Sequence, residues 1–128
     1  MHLEHAAIWT TDLERLKAFY VQYFGATPGA RYVNDRRGFA SYFLSFDSGA
    51  RLEIMTLIGL SATNAPTAPV VGYAHLAFSL GATERVDALT AELRTAGYAV
   101  LSLPRWTGDG YYESVVLDPD GNQIELTV

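Results

Sequence analysis

Two stretches of this sequence, about 70 residues apart, follow the same pattern, and the repeat narrows the choice of fold more than any other property of the chain. Residues 3–9 and residues 73–79 alternate apolar and polar side chains, as half-buried strands do. Each run carries a central histidine, His5 in the first and His75 in the second. The sequence therefore predicts two copies of one structural module.

A helix is predicted after each of these strands. In the first copy, Thr11 and Glu14 have the spacing of a capping box, and apolar residues then recur at helical spacing until Gly25. In the second copy, a similar apolar spacing ends at Gly97. Glycine commonly follows the last turn of a helix because it adopts a positive φ without strain.

Each predicted helix is followed by a predicted hairpin. In the first copy, residues 39–46 and 51–57 flank an Asp-Ser-Gly turn. In the second copy, residues 111–117 and 122–128 flank Asp-Pro-Asp-Gly, which is a strong turn signal because Pro and Gly both favour turn conformations.

These elements predict an α+β fold in which two tandem βαβββ modules form a curved mixed sheet with an open cleft. The modules cover residues 1–58 and 72–128 of a single domain, residues 1–128, and a linker rich in Pro, Ser and Thr joins them at residues 59–71. The second strand of each module is poorly defined by the sequence.

The alternation of strand side chains predicts which face each residue occupies, because neighbours point to opposite sides of a sheet. Ile124 and Leu126 are apolar and belong under the helix, so Glu125 belongs on the helix-free face. By the same reasoning Glu53 lies on the helix-free face of the first module, 72 residues earlier. If two modules pair, His5, Glu53, His75 and Glu125 converge in one cleft.

These four side chains favour one divalent metal ion, because two neutral imidazoles and two carboxylates balance its charge. Such donors suit Zn, Ni, Co, Mn or Fe. The chain has no cysteine, so thiolate metal sites, disulfides and thiol catalysis are excluded. Taken singly, each of the four residues is more often structural or solvent-facing, and the shared repeat offset is what favours the metal.

Composition and charge narrow the class of partner. The net charge is −5 and the nine Lys and Arg residues are scattered, which argues against nucleic acid as a partner. No apolar run approaches the ~18 residues of a membrane span, and the N-terminus lacks the pattern of a signal peptide. A cytoplasmic protein that acts on a small molecule, without nucleic acid or membrane as partner, is therefore the expectation.

Four motifs resemble the vicinal oxygen chelate superfamily, also called the glyoxalase, bleomycin-resistance and dihydroxybiphenyl-dioxygenase superfamily. The resemblance covers nearly the whole chain. Its carriers are Leu-Glu-His5-Ala-Ala-Ile with Asp12-Leu13 and Phe19-Tyr20, Arg-Leu-Glu53-Ile, Tyr-Ala-His75-Leu-Ala-Phe, and Asp118-Pro-Asp-Gly-Asn-Gln-Ile-Glu125-Leu.

Within this superfamily the ligand set looks most like that of glyoxalase I. Extradiol dioxygenases resemble the chain at His5, His75 and Glu125, but they have no acidic ligand at the position of Glu53. The resemblance implies a metal-dependent lyase or isomerase that moves a proton next to a carbonyl through a metal-stabilised enediolate. Glu125 is then the first candidate base, and Glu53 is a ligand and second candidate base.

Residues that contact the substrate are predicted from their expected faces and loops. The face of His5 also carries Trp9, where bacterial glyoxalase I has an arginine that contacts glutathione, so a less polar substrate is expected. Alternation of β-strand residues, with Val115 and Leu117 assigned to the helix side, predicts Phe43, Tyr112 and Ser114 on the cleft side. Arg105 and Trp106 are predicted in a glycine-rich loop beside the cleft, although packing explains these aromatic residues equally well.

Two other functions remain open. One is a binding protein that sequesters a drug or metabolite without turnover, as bleomycin-binding relatives do. The other is an iron-dependent extradiol dioxygenase. We also expect a homodimer, because each module leaves strand edges and apolar surface that a partner can cover. The sequence leaves open whether the cleft forms within one chain or between two.

Overall fold

The computed structural model describes residues 1–61, 69 and 71–128. These residues form two helices and nine strands, so the predicted α+β class is confirmed. The elements are β1 (His5–Trp9), α1 (Leu13–Phe24), β2 (Thr27–Pro28), β3 (Tyr32–Asn34), β4 (Phe39–Ser45), β5 (Arg51–Leu57), β6 (Leu76–Ser79), α2 (Thr83–Thr95), β7 (Val100–Trp106), β8 (Tyr112–Leu117) and β9 (Gln123–Thr127).

The chain divides into two compact units, which we call unit 1 (Met1–Thr63) and unit 2 (Asn64–Val128). The division falls within the stretch predicted as a linker, residues 59–71, most of which lies outside the described residues. In the described part of the chain, neither helix is long and apolar enough to cross a membrane.

Unit 1 contains one sheet with the strand order β1-β5-β4-β2, and β3 also pairs with β4. β1 runs parallel to β5, whereas β4 is antiparallel to β5. The poorly defined second strand is split into β2 and β3. β2 ends at Pro28, which has no N–H to donate to a sheet, and the next N–H, of Gly29, donates to the carbonyl of Phe43 at 2.8 Å.

Helix α1 begins one residue later than the sequence predicted. Asp12, rather than Thr11, is the N-cap, and its carboxylate accepts a hydrogen bond from the backbone N–H of Arg15 at 3.0 Å. Glu14 forms no capping box and instead accepts a hydrogen bond from the Tyr42 hydroxyl at 2.9 Å. The predicted end is confirmed, because Gly25 follows the helix with a φ of 63°.

The core of unit 1 lies between α1 and the sheet face formed by β4 and β5. Leu16 and Tyr20 of the helix are fully buried, as are Leu44 and Ile54 of the two strands. This packing leaves the opposite, helix-free face of the sheet for His5 and its neighbours.

Unit 2 repeats this arrangement as a βαβββ unit with the strand order β6-β9-β8-β7. β6 is parallel to β9, and β8 is antiparallel to β9. Helix α2 buries Val86 and Leu93 against Val116 and Ile124. β7 occupies the stretch whose strand the sequence left poorly defined, and its pairing with β8 contains register shifts.

The predicted faces of β8 are wrong. Ser114 and Val116 are fully buried under α2, so Val115 and Leu117 lie on the helix-free face, opposite to the prediction. The buried hydroxyl of Ser114 forms a hydrogen bond of 2.7 Å with the Thr90 hydroxyl of α2. Because the Thr90 hydroxyl satisfies its hydrogen bonding, Ser114 can occupy a core position where an apolar residue is expected.

Candidate functional site

In unit 1, the pairing of β1 with β5 brings His5 and Glu53 to the helix-free face. Ala7 lies opposite Glu53 in the parallel register, and His5 is two residues before Ala7, so all three share a face. The Nε2 atom of His5 lies 3.9 Å from Oε2 of Glu53. The Glu53 side chain is 16% exposed and the His5 side chain 39%, so both remain reachable from solvent.

Unit 2 contains the equivalent pair. Ala77 lies opposite Glu125 in the parallel register of β6 and β9, and His75 directly precedes β6. The Nε2 atom of His75 lies 3.5 Å from Oε2 of Glu125. The same two residue types thus occupy the same register positions in both units, at nearly the same separation.

Each unit brings together two potential metal ligands rather than a complete set. In the described ranges, neither unit by itself gathers three or more His, Asp or Glu side chains in an arrangement that could hold a metal ion. The donors nevertheless fit a divalent ion chemically, since each pair offers an imidazole nitrogen and a carboxylate oxygen facing each other on an accessible surface. We call each His–Glu pair a half-site.

The surroundings of Glu125 contain a residue that the sequence analysis missed. Glu113 of β8 lies opposite Thr127 and therefore on the same face as Glu125. Burial raises the pKa of the Glu125 carboxyl, and the negative charge of Glu113 raises it further, while His75 opposes the increase. The hairpin register would have placed Glu113 here if the faces of β8 had been assigned correctly.

Arg105 lies on the helix-free face, as its predicted role requires, but it belongs to β7 rather than to a loop. It pairs with Glu113 across the two strands, and its guanidinium Nη1 lies 3.4 Å from the Glu113 carboxylate. The Arg105 side chain is 54% exposed. It therefore presents a positive charge near the half-site of unit 2.

The predicted substrate contacts in unit 1 lie beside the first half-site. Phe43 makes a T-shaped contact with the His5 ring, with 5.2 Å between the ring centroids. Trp9 lies on the same face of β1 as His5, is 47% exposed and contacts Phe39 edge-on. Both aromatic residues are thus on the helix-free face where the sequence predicted them.

Tyr112 is on the helix side of its sheet, so its predicted position on the cleft side is wrong. Trp106, predicted in a loop beside the cleft, is instead the last residue of β7. The Tyr112 hydroxyl donates to the Asp87 carboxylate of α2 at 2.7 Å, and this hydrogen bond raises the pKa of Tyr112. Trp106 pairs with Tyr112 across β7 and β8, with 5.3 Å between their rings. The predicted faces of Tyr112 and Ser114 are wrong for the same reason, because both were derived from one incorrect assignment of the alternation in β8.

A second group that the sequence analysis missed surrounds His5. The carboxylate of Glu4 contacts Nδ1 of His5 and accepts hydrogen bonds from the Arg51 guanidinium. His5 and Arg51 are opposite each other in the register of β1 and β5. Glu4 is adjacent to His5 in sequence, so strand alternation assigns it to the opposite face as a surface or edge residue. Its contact with Arg51 depends on the partner strand, 47 residues away in sequence.

Comparison with known proteins identifies the family. The model of the glyoxalase/bleomycin resistance protein/dioxygenase superfamily matches residues 2–126, and the chain belongs to this superfamily. The resemblance seen in its sequence motifs is therefore confirmed. A search of curated proteins found no match.

Solved structures with the same fold include two glyoxalase I enzymes. Glyoxalase I from Zea mays has a TM-score of 0.79 at 21% identity, and the match covers 98% of this chain but only 44% of the maize chain. The trypanothione-dependent glyoxalase I of Leishmania major has a TM-score of 0.78 at 24% identity, and the match covers 99% of this chain and 86% of the Leishmania chain. A glyoxylase/bleomycin resistance protein/dioxygenase domain from Frankia sp. EAN1pec has a TM-score of 0.84 at 19% identity, with 100% and 97% of the two chains covered.

Proposed function

We propose that this protein is a divalent-metal-dependent lyase or isomerase of the glyoxalase I type, which transfers a proton next to a carbonyl group of a small-molecule substrate. One observation carries the proposal: each unit presents one His–Glu pair, with donor atoms 3.9 Å and 3.5 Å apart, at equivalent register positions. The superfamily match over residues 2–126 supports the same class of chemistry.

The proposed ligands are His5, Glu53, His75 and Glu125, so that the two half-sites together complete one site. If the bound ion were octahedral, four protein ligands would leave two positions open for a substrate. The imidazole and carboxylate donors suit Zn, Ni, Co, Mn or Fe and do not discriminate strongly among them. The ion, when bound, supplies a Lewis acid that stabilises negative charge developing on the carbonyl oxygen.

Glu125 is proposed as the base that removes the proton from the carbon next to the carbonyl. A carboxylate can hold this proton and return it to the neighbouring carbon, which gives an isomerisation without net consumption of acid or base. Glu53 is the second candidate, because it occupies the equivalent position in unit 1. Trp9 and Phe43 are proposed to line an apolar side of the substrate site, and Arg105 a charged side.

The test is the exchange of the substrate's α-hydrogen with deuterium from heavy water, followed by NMR. We expect the metal-loaded wild type to catalyse exchange with an α-hydroxycarbonyl thiohemiacetal or an acyl thioester. Glu125→Gln keeps an oxygen that can face the metal but cannot accept the proton, so exchange should fall by about 10²- to 10⁴-fold while metal remains bound.

The matched control is Glu92→Gln, which makes the same chemical change on the exposed surface of α2 and should leave exchange unchanged. Full exchange by Glu125→Gln would exclude Glu125 as the base. Absence of exchange with every substrate of these two classes, despite bound metal, would overturn the lyase or isomerase proposal in favour of a binding protein or a dioxygenase.

We also propose that the protein is a homodimer and that it is cytoplasmic. The dimer is supported by the edge strands β1 and β6 and by exposed apolar residues such as Leu101 and Leu103 of β7. Sedimentation at micromolar concentration should give twice the chain mass, and a persistent monomer would contradict the dimer. Refolding His5→Ala and His75→Ala chains together tests whether two chains share each site. A site with all four ligands can form in this mixture only if His5 comes from one chain and His75 from the other.

A further inference from the structure

Glu4 holds the side of the His5 ring that faces away from Glu53. The Glu4 carboxylate contacts Nδ1 of His5, whereas Nε2 is the atom that lies 3.9 Å from Glu53. An ionised carboxylate can only accept a hydrogen bond, so the hydrogen must be on Nδ1. In a neutral ring this leaves the lone pair on Nε2, which is the atom of the half-site.

Glu4 is itself fixed in place by Arg51. The guanidinium donates to Oε1 of Glu4 through Nε, at 2.8 Å, and also through Nη2. The backbone N–H of Arg51 donates to the Glu4 carbonyl at 3.0 Å. Both ends of Glu4 are therefore held by the same residue of the neighbouring strand.

The same arginine supports His5 through an aromatic contact. Its guanidinium lies over the Phe43 ring, 4.1 Å from the centroid, and Phe43 in turn makes the T-shaped contact with His5. The imidazole is thus held at Nδ1 by a carboxylate and along its ring by Phe43.

The second half-site has no equivalent of this arrangement. Ala74 stands immediately before His75, where unit 1 has Glu4, and Gln123 stands where unit 1 has Arg51. The repeat that places the two histidines therefore does not explain Glu4 and Arg51. A carboxylate that accepts from the far nitrogen of a ligand histidine is a common way to orient that ligand and to strengthen its donor atom.

We propose that Glu4 is a positioning residue that fixes His5 as the Nδ1–H tautomer, with Nε2 directed towards Glu53. This makes the half-site of unit 1 preorganised and the two histidines inequivalent. The effect on metal affinity rests on the proposed function, whereas the effect on the tautomer does not.

The tautomer can be measured in the metal-free protein by long-range ¹H–¹⁵N NMR of the imidazole rings, at a pH where they are neutral. The wild-type His5 should show hydrogen on Nδ1. In Glu4→Ala it should shift towards the Nε2–H form, which solvent-exposed imidazoles prefer. The signals of His75 should stay the same in both proteins and so report that unit 2 remains folded.

The affinity for Co²⁺, measured by competition with a chelator, should fall by about 10- to 100-fold in Glu4→Ala. The matched control is Glu14→Ala, which removes another exposed carboxylate paired with a cation, Lys17, on α1. It should change neither the tautomer nor the affinity. If Glu4→Ala does not fold, Arg51→Met releases Glu4 while retaining an apolar stem over Phe43, and it should shift the tautomer in the same direction.

A wild-type His5 with hydrogen on Nε2, or a tautomer unchanged by Glu4→Ala in a folded protein, would overturn the inference. Unchanged Co²⁺ affinity in Glu4→Ala would also overturn its functional part. If the tautomer shifts as expected but the wild type binds no divalent metal, the proposed metal site is wrong and the positioning of His5 by Glu4 still stands.

Discussion

At the scale of single residues, Asp118 shows how one buried carboxyl sets the geometry of the half-site in unit 2. It is only 4% exposed, and its carboxylate accepts hydrogen bonds from the backbone N–H groups of Asp120 and Asn122 and from the Asn122 amide, at 2.8–2.9 Å. These bonds shape the turn between β8 and β9. The turn fixes the register that places Val115 opposite Glu125.

The stability of the protein should depend on pH through Asp118. Burial raises the pKa of its carboxyl, although the hydrogen bonds from Asn122 and Asp120 oppose the increase. A folded-state pKa above the unfolded value contributes stability below the unfolded pKa, and that contribution is lost as pH rises through the folded pKa. Across this window, from about pH 4 upwards, the free energy of unfolding of the wild type should fall relative to that of Asp118→Asn, which carries no charge.

Urea unfolding at a series of pH values measures this difference. Asp118→Ala should cost about 1–3 kcal/mol because it leaves turn N–H groups without their acceptor. Asp47→Asn makes the same chemical change at an exposed carboxyl in the corresponding turn of unit 1 and is the matched control for the loss of one negative charge. A constant difference between wild type and Asp118→Asn at all pH values would contradict the prediction.

Single residues also show which parts of the candidate site could be predicted from the sequence and which could not. The faces of His5, Glu53, His75 and Glu125 were predictable because alternation fixes the faces of strands whose apolar residues are clear, whereas the convergence of all four in one site stays a prediction. Alternation failed in β8, where Val115 and Val116 are adjacent and a buried Ser114 takes the core position. Glu113 was missed because the faces of β8 were assigned wrongly, and Glu4 was missed because its contact with Arg51 depends on which strand lies beside β1.

At the scale of elements, the two helices differ at their N-termini although they occupy equivalent places in the repeat. Asp12 caps α1 through its side chain, but the equivalent residue of α2, Ala82, makes no side-chain cap. Ala82 has an extended backbone, with φ of −159° and ψ of 144°. The helices and their ends were predictable from apolar spacing and glycine, whereas the choice between Thr11 and Asp12 was not, because both are good N-caps.

We predict opposite effects of cap removal and cap addition. Asp12→Ala should lower the free energy of unfolding by about 1 kcal/mol, because the N–H of Arg15 loses its acceptor. Ala82→Asp should raise it by up to about 1 kcal/mol, since the new carboxylate can accept from the first turn of α2. Both are measured by urea unfolding. Thr11→Ala is the control, and a loss as large as that of Asp12→Ala would show that Thr11 is the cap after all.

At the scale of the whole molecule, the repeat explains why neither unit is sufficient for the proposed chemistry. Each unit folds around its own helix and sheet, and the described part of each presents a His–Glu pair on its helix-free face. Two donors bind a divalent ion weakly, whereas four complete most of its coordination and balance its charge. The fold class was predictable because the two copies reinforce each other, but the split of β2 from β3 was not, since it occurs only in the first copy.

Because the proposed site needs both half-sites, loss of the histidine from either unit should remove most of the stabilisation that a bound metal ion provides. A divalent ion that binds only the folded protein raises the free energy of unfolding, by about 2.7 kcal/mol at a free concentration of 100 times Kd. Thermal unfolding with and without Ni²⁺ should show this stabilisation in the wild type and its near-complete loss in both His5→Ala and His75→Ala. His2→Ala removes the third histidine, which is exposed, and should retain the stabilisation. If only one of the two ligand variants lost it, the ion would be bound within one unit, and the repeat would not be the basis of the site.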